Sequence, residues 1–200
     1  MFRRKKGSNL QGVFCLLLPL AALRRPAQTS TEESGVAPRG WYLAGSKPAN
    51  YVTGVDRDTV YQGRPSAYRK AKPSATEGFG TLMQNFGADQ YLGKRVRLTA
   101  WVKSEQVEDW AGLWMRVGKD SAVLSFDNMQ NRPIKGTNGW QNYSVVLDFP
   151  QDATGIFFGV LLTRGGSVWL NSVQFEVVGP GVPVTGSAPT ARARPKARRI

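Results

Sequence analysis

Residues 94–117 read KRVRLTAWVKSEQVEDWAGLWMRV, and the alternation inside this stretch decides the fold class. Successive side chains of a strand point to opposite faces. In the first half, Val96, Leu98, Ala100 and Val102 share one face, and Arg95, Arg97, Thr99, Trp101 and Lys103 share the other. In the second half, Ala111, Leu113, Met115 and Val117 lie together, opposite Trp110, Gly112, Trp114 and Arg116. Each half is a strand with an aliphatic face for a core and a second face that mixes Trp with Arg. Glu105, Glu108 and Asp109 between them read as a solvated turn.

The same pattern extends outward. Strands are predicted over 41–46, 51–55, 66–70, 78–86, 94–103, 111–117, 121–126, 140–148, 155–163 and 167–177. They are divided by turn signals such as Lys47-Pro48, Gly63-Arg64-Pro65, Asn138-Gly139 and Gly165-Gly166. Short strands at regular spacing with no long helical period predict an all-β protein, a two-sheet β-sandwich of jelly-roll type. Residues 155–163 are apolar on both faces, as in a central strand.

Domain organisation follows from composition. All six tryptophans fall within residues 40–178, the expected ligand-binding β-sandwich domain. Residues 1–39 read as a basic and apolar leader with a flexible linker, and residues 179–200 as a disordered basic tail. The formal net charge of +13 is concentrated outside the domain: +5 in 1–39, +3 in 40–178 and +5 in 179–200. The high charge therefore describes the tails. It leaves open a weak, salt-sensitive contact with polyanions through them, beside the reading that they only solubilise the chain.

The N-terminus outlines a secretory signal: Arg3, Arg4, Lys5 and Lys6 precede the apolar run GVFCLLLPLAAL at 12–23. Arg24 and Arg25 follow at once, without a clean small-x-small cleavage site, and the run is short for a bilayer span. Export or tethering thus stands level with a cytoplasmic location, and no obligate membrane partner is expected. Cys15 is the only cysteine and there is no histidine. An intramolecular disulfide, a thiol zinc site and histidine acid–base chemistry are excluded. No cofactor or metal is expected, and the domain is better equipped to bind than to transform. The acids Glu77, Glu105, Glu108, Asp109, Asp127 and Asp148 show no pairing that would mark a glycosidase.

Sugars offer apolar C–H faces with a rim of hydroxyls, and are held by flat aromatics together with planar hydrogen-bonding groups. Trp101 and Trp114 are the expected platforms and Arg97 and Arg116 the clamps, on neighbouring strands. Gln84 joins them from the 78–86 strand. The polar loop FDNMQNRPIKGT at 126–137 places Asp127, Asn128 and Arg132 at the mouth of that face. Two plainer readings stand beside this one: both tryptophans lie under a loop, and Asp127 and Asn128 only satisfy their own loop backbone as Asx turns. Trp41, Trp140 and Trp169 are expected to be structural.

Three segments carry a resemblance: GWYLAGS at 40–46, WAGLWMRV at 110–117 and VWLNSVQFE at 168–176. Their order resembles galactose-binding-like jelly rolls, including family 4/9-type carbohydrate-binding modules. The blocks FGTLMQNF at 79–86, WAGLWMRV and FDNMQNRPIKGT look like a domain found in bacterial transcription regulators, some of AraC type. The resemblance implies non-catalytic recognition of a carbohydrate or similar small polar ligand. Alternatively it implies an accessory or effector-sensing domain acting through protein or nucleic-acid contacts, since no DNA-reading helix pair is legible. Where such jelly rolls hold calcium in the last strand, this chain has Asn171.

Overall fold

The computed structural model describes residues 35–186; residues 1–34 of the expected leader and linker and 187–200 of the expected tail lie outside the described residues. The described strands are β1 (Tyr42–Gly45), β2 (Tyr51–Tyr61), β3 (Arg64–Ala71), β4 (Phe79–Gly87), β5 (Arg95–Lys119), β6 (Ala122–Asp127), β7 (Ile134–Asp148), β8 (Gly155–Thr163) and β9 (Ser167–Val178). Short 3-10 turns lie at Pro48–Asn50 and Asp89–Tyr91. Every strand pairing is antiparallel, and the sheet curls on itself as a two-sheet β-sandwich of jelly-roll type.

The two expected strands at 94–103 and 111–117 are one. β5 runs for 25 residues and serves both layers. Its first part, Arg95–Glu105, lies between β7 and β9 in a layer ordered β2-β3-β9-β5-β7. Its second part, Ala111–Lys119, lies between β8 and β6 in a layer ordered β1-β4-β8-β5-β6. The acidic stretch read as a turn is the corner between the layers.

Parity explains how one strand does this. The core-facing residues are even-numbered through Val102 and Ser104 and odd-numbered from Val107 onward. An odd step inserts one extra residue and sends the following side chains to the opposite face. Here Gln106 sits in the left-handed region at φ 51°, with register shifts on either side. The tight β8–β9 turn packs on this corner. A side chain at Gly166, where φ is +108°, would meet the Gln106 carbonyl oxygen.

The core fills the space between the layers. Val96, Leu98, Ala100, Val102, Leu113, Met115 and Val117 of β5 meet Leu82 of β4, Val145 and Leu147 of β7, and Ile156, Val160 and Leu162 of β8. Each of these side chains except Ala100 contributes about 1.5–3 kcal/mol relative to exposure. The chain stays on the sandwich past Val178. Arg95 Nη1 donates to the carbonyls of Pro180 (2.8 Å) and Val182 (2.7 Å), and Thr185 N donates to Val146 O (2.9 Å). Residues 179–186 are thus held against the β5–β7 layer.

Candidate functional site

The outward surface of the β1-β4-β8-β5-β6 layer carries a hollow, and register places its floor row by row. One row runs Tyr42, Met83, Gly159, Trp114; the next runs Ala44, Thr81, Leu161, Gly112. A third runs Asn85, Phe157, Arg116, Phe126. Glycine stands beside Trp114 in the first row, so the indole crosses β8 unobstructed. Its Nε1 donates to Thr81 Oγ1 on β4 at 2.7 Å, and Thr81 Oγ1 donates onward to Val160 O at 2.9 Å. Trp114 keeps only 8% of its surface exposed, Met83 8% and Leu161 6%, so they form a flat apolar floor.

The hollow has a volume of about 310 Å³, at the lower end for small-ligand sites. Phe79, Trp110 and Phe126 stand around the floor, and Arg116 and Asn128 supply the polar side chains at the rim. Phe79 and Phe126 are each 37% exposed. Sequence reasoning placed Trp110 on the Trp114 face without counting it as a site residue. It did not find Phe79 or Phe126, whose exposure depends on neighbours distant in the chain.

The expected site residues separate into several places. Trp101 and Trp114 lie on one strand, not on neighbouring ones, and on the outer surfaces of different layers, because β5 changes layer between them. Trp101 is stacked by Tyr61 (centroids 4.6 Å apart, planes at 24°), and Tyr61 also meets Trp140. The tip of the β2–β3 hairpin is tied there by Trp140 Nε1 donating to Val60 O at 3.0 Å. Arg97, on the same face, approaches Glu176 at 3.7 Å. Gln84 belongs to neither surface. It borders a cleft at the open edge between layers, beside Trp41 and Asn171. The expected single face of Trp101, Trp114, Arg97, Arg116 and Gln84 is therefore corrected to a Trp114–Arg116 hollow with Trp110.

The loop after β6 stands at that hollow through Asn128. Asp127 faces away from it and is 6% exposed. It accepts from Met129 N at 2.8 Å and is held by both terminal nitrogens of Arg132, at 3.1 and 2.6 Å. Arg132 also donates to Ser144 O at 3.1 Å, fixing the loop to β7. Asn128 Oδ1 accepts from Gln130 N at 3.2 Å. Asp127 and Arg132 make these bonds with the loop and β7, and neither makes a described hydrogen bond to Arg116.

Trp169 is 4% exposed and donates to Asp56 Oδ2 at 2.7 Å. Burial works against the Asp56 charge, but bonds from Thr59, Trp169 and Asp58 prevail and hold its carboxyl below the ordinary range. Asn171 donates to the carbonyls of Arg64 and Pro65 and to Ser66 Oγ, tying the hairpin to β9. Among the described residues no three His, Cys, Asp or Glu side chains converge.

Comparison with solved structures bears on this architecture. The chain matches the xylan-binding CBM22-1 domain of Paenibacillus barcinonensis Xyn10C with a TM-score of 0.51 and 13% identity, over 71% of this chain and 88% of that one. It matches the C-terminal family 22 carbohydrate binding module of Clostridium thermocellum Xyn10B with a TM-score of 0.52 and 14% identity, over 72% and 89%. The fold is that of a carbohydrate-binding module. In sequence, the chain is 49% identical over 151 residues to YbfP, an uncharacterized HTH-type transcriptional regulator of Bacillus subtilis (strain 168). That match covers 74% of this chain and 50% of the regulator, so the chain spans about half the length of the curated relative it matches. No protein-family model matches the chain.

Proposed function

We propose that the Trp114 hollow binds a carbohydrate or similar small polar ligand without transforming it. The observation that carries this reading is the floor itself. Trp114 is pinned flat by its bond to Thr81, with Trp110 beside it and Arg116 and Asn128 at the rim. A ring laid on the indole buries its C–H face there, while its hydroxyls reach the guanidinium and the amide. No carboxylate is among the residues that line the hollow, whereas glycoside hydrolysis by the usual route needs two. The fold shared with carbohydrate-binding modules supports the same reading.

The test is a glycan array followed by calorimetric titration of the 200-residue chain. Trp110→Ala and Phe126→Ala are expected to weaken binding about tenfold or more, as truncated aromatic anchors do. Binding unchanged in both variants would remove the hollow from the site.

A second reading rests on the 49% identity to half of an HTH-type regulator. In it, the same hollow senses an effector for a DNA-binding partner segment. A full regulator carrying this domain should lose its ligand response with Trp110→Ala while keeping DNA binding. A response that survives sinks that reading.

A further inference from the structure

We propose that the hollow selects acidic sugars: a pyranose ring bearing a carboxylate, as in a uronic-acid oligosaccharide. The inference rests on the binding reading above and concerns the charge of the ligand. Arg116 lies in the row between Phe157 and Phe126, with its guanidinium carbon 4.1 Å from the Phe157 ring centroid. Contact with the ring face restrains the guanidinium, and a planar carboxylate gains from such preorganisation when it forms paired hydrogen bonds.

The charge of Arg116 is not offset locally. Arg95 is paired with Asp148, Arg97 with Glu176 and Arg132 with Asp127, but no described carboxylate lies within ion-pair distance of Arg116. The acid nearest in the chain to the rim is Asp127, and Arg132 engages both of its oxygens. Arg116 Nε is sealed from solvent and has no hydrogen-bond partner among the described residues. The remaining walls are largely apolar, and charges interact more strongly in such surroundings than in water. A neutral sugar would leave this cation without a counter-charge, whereas a carboxylate supplies one.

The test uses a matched pair of ligands titrated into the full chain: oligogalacturonate, and the same oligomer with its carboxylates methyl-esterified. Both have the same ring faces and differ in charge. The acid is expected to bind about tenfold or more tighter than the ester, as charge-assisted bonds allow. The ratio should shrink as salt is raised. Arg116→Gln should bring the two within about twofold, weakening the acid far more than the ester. Arg116→Lys keeps the charge without the fork and should retain a reduced, salt-sensitive preference, which serves if the glutamine variant folds poorly. A benzoate-type aromatic acid distinguishes the sugar from its charge: binding as tight as the uronate would overturn the acidic-sugar assignment. Equal binding of acid and ester, or an acid preference that survives Arg116→Gln, would also overturn it. Binding only of neutral sugars, lost in Trp110→Ala, would overturn it while leaving the binding reading intact. Failure of every sugar to bind would overturn both.

Discussion

Arg69 is fully enclosed between the layers. Its Nη2 donates to Pro48 O at 3.2 Å and its guanidinium lies 4.9 Å from the Tyr51 ring centroid, while Nε and Nη1 have no described partner. Burial pushes its pKa down to about 10, so it stays charged at neutral pH. An enclosed cation with only part of its guanidinium hydrogen-bonded carries a desolvation cost that an apolar side chain of similar length does not. Arg69→Met is accordingly expected to leave Tm unchanged or raise it, measured by thermal unfolding; a loss of several degrees would show that the charge stabilises the sandwich. Gly112 tests the opposite case. A side chain there would meet Asn128 O at 2.5 Å and Met129 Cβ at 3.1 Å. Gly112→Ala should therefore displace the Asp127–Arg132 loop, costing about 1–3 kcal/mol by overpacking. Denaturant melts and ligand titration would read the two effects. At this scale Trp114 and Arg116 were legible together from their parity. The bond between Arg132 and Asp127 was not, because a run of polar residues does not say which of them will pair.

The corner of β5 shows what periodicity can and cannot deliver. Alternation located both halves of the strand and their aliphatic faces. The change of parity between Val102 and Ala111 was also present in the sequence and implied an extra residue between them. Reading Glu105–Asp109 as a turn hid that, and put Trp101 on the same surface as Trp114. The last described segment makes a prediction of its own. The hydrogen bonds from Arg95 hold the Asp148 carboxyl below the ordinary aspartate range, and the same guanidinium grips Pro180 and Val182. A carboxylate with a lowered folded-state pKa contributes stability that is complete above its unfolded value and is lost as pH falls through the folded one. Acidification below the ordinary aspartate pKa should therefore loosen residues 179–186 before the core. The protection factor of the Thr185 amide, corrected for intrinsic exchange, is expected to fall there, and Asp148→Asn should reproduce the loss at neutral pH. Protection unchanged in that variant would mean that Thr185 and Val146 hold the segment without Arg95.

Topology lay beyond local reading. Strand patterns announced a sandwich, but the insertion of β9 between β3 and β5 joins residues about a hundred positions apart on the β3 side and about 60–80 apart on the β5 side. No turn signal encodes such a pairing, and packing of the two layers decides it. With β9 removed, the β2–β3 hairpin loses its link to the rest of its layer and β5 loses one partner along Arg95–Glu105. A chain cut after Thr163 is expected to give no cooperative unfolding transition by circular dichroism. A sharp transition would show that the remaining layer folds alone. Pairings of this range also predict refolding in milliseconds to seconds, as for other sandwiches, which stopped-flow fluorescence of the tryptophans would measure. The double duty of β5 has a consequence at birth. A ribosome adding about 5–20 residues per second needs roughly 3–12 s to go from Lys119 to Val178. Through that interval the longest of the described strands has left the decoding site while its partner β9 has not yet been made. The edge of Arg95–Glu105 that β9 will cover stays open to neighbouring nascent chains until then, even after β7 has closed the other side.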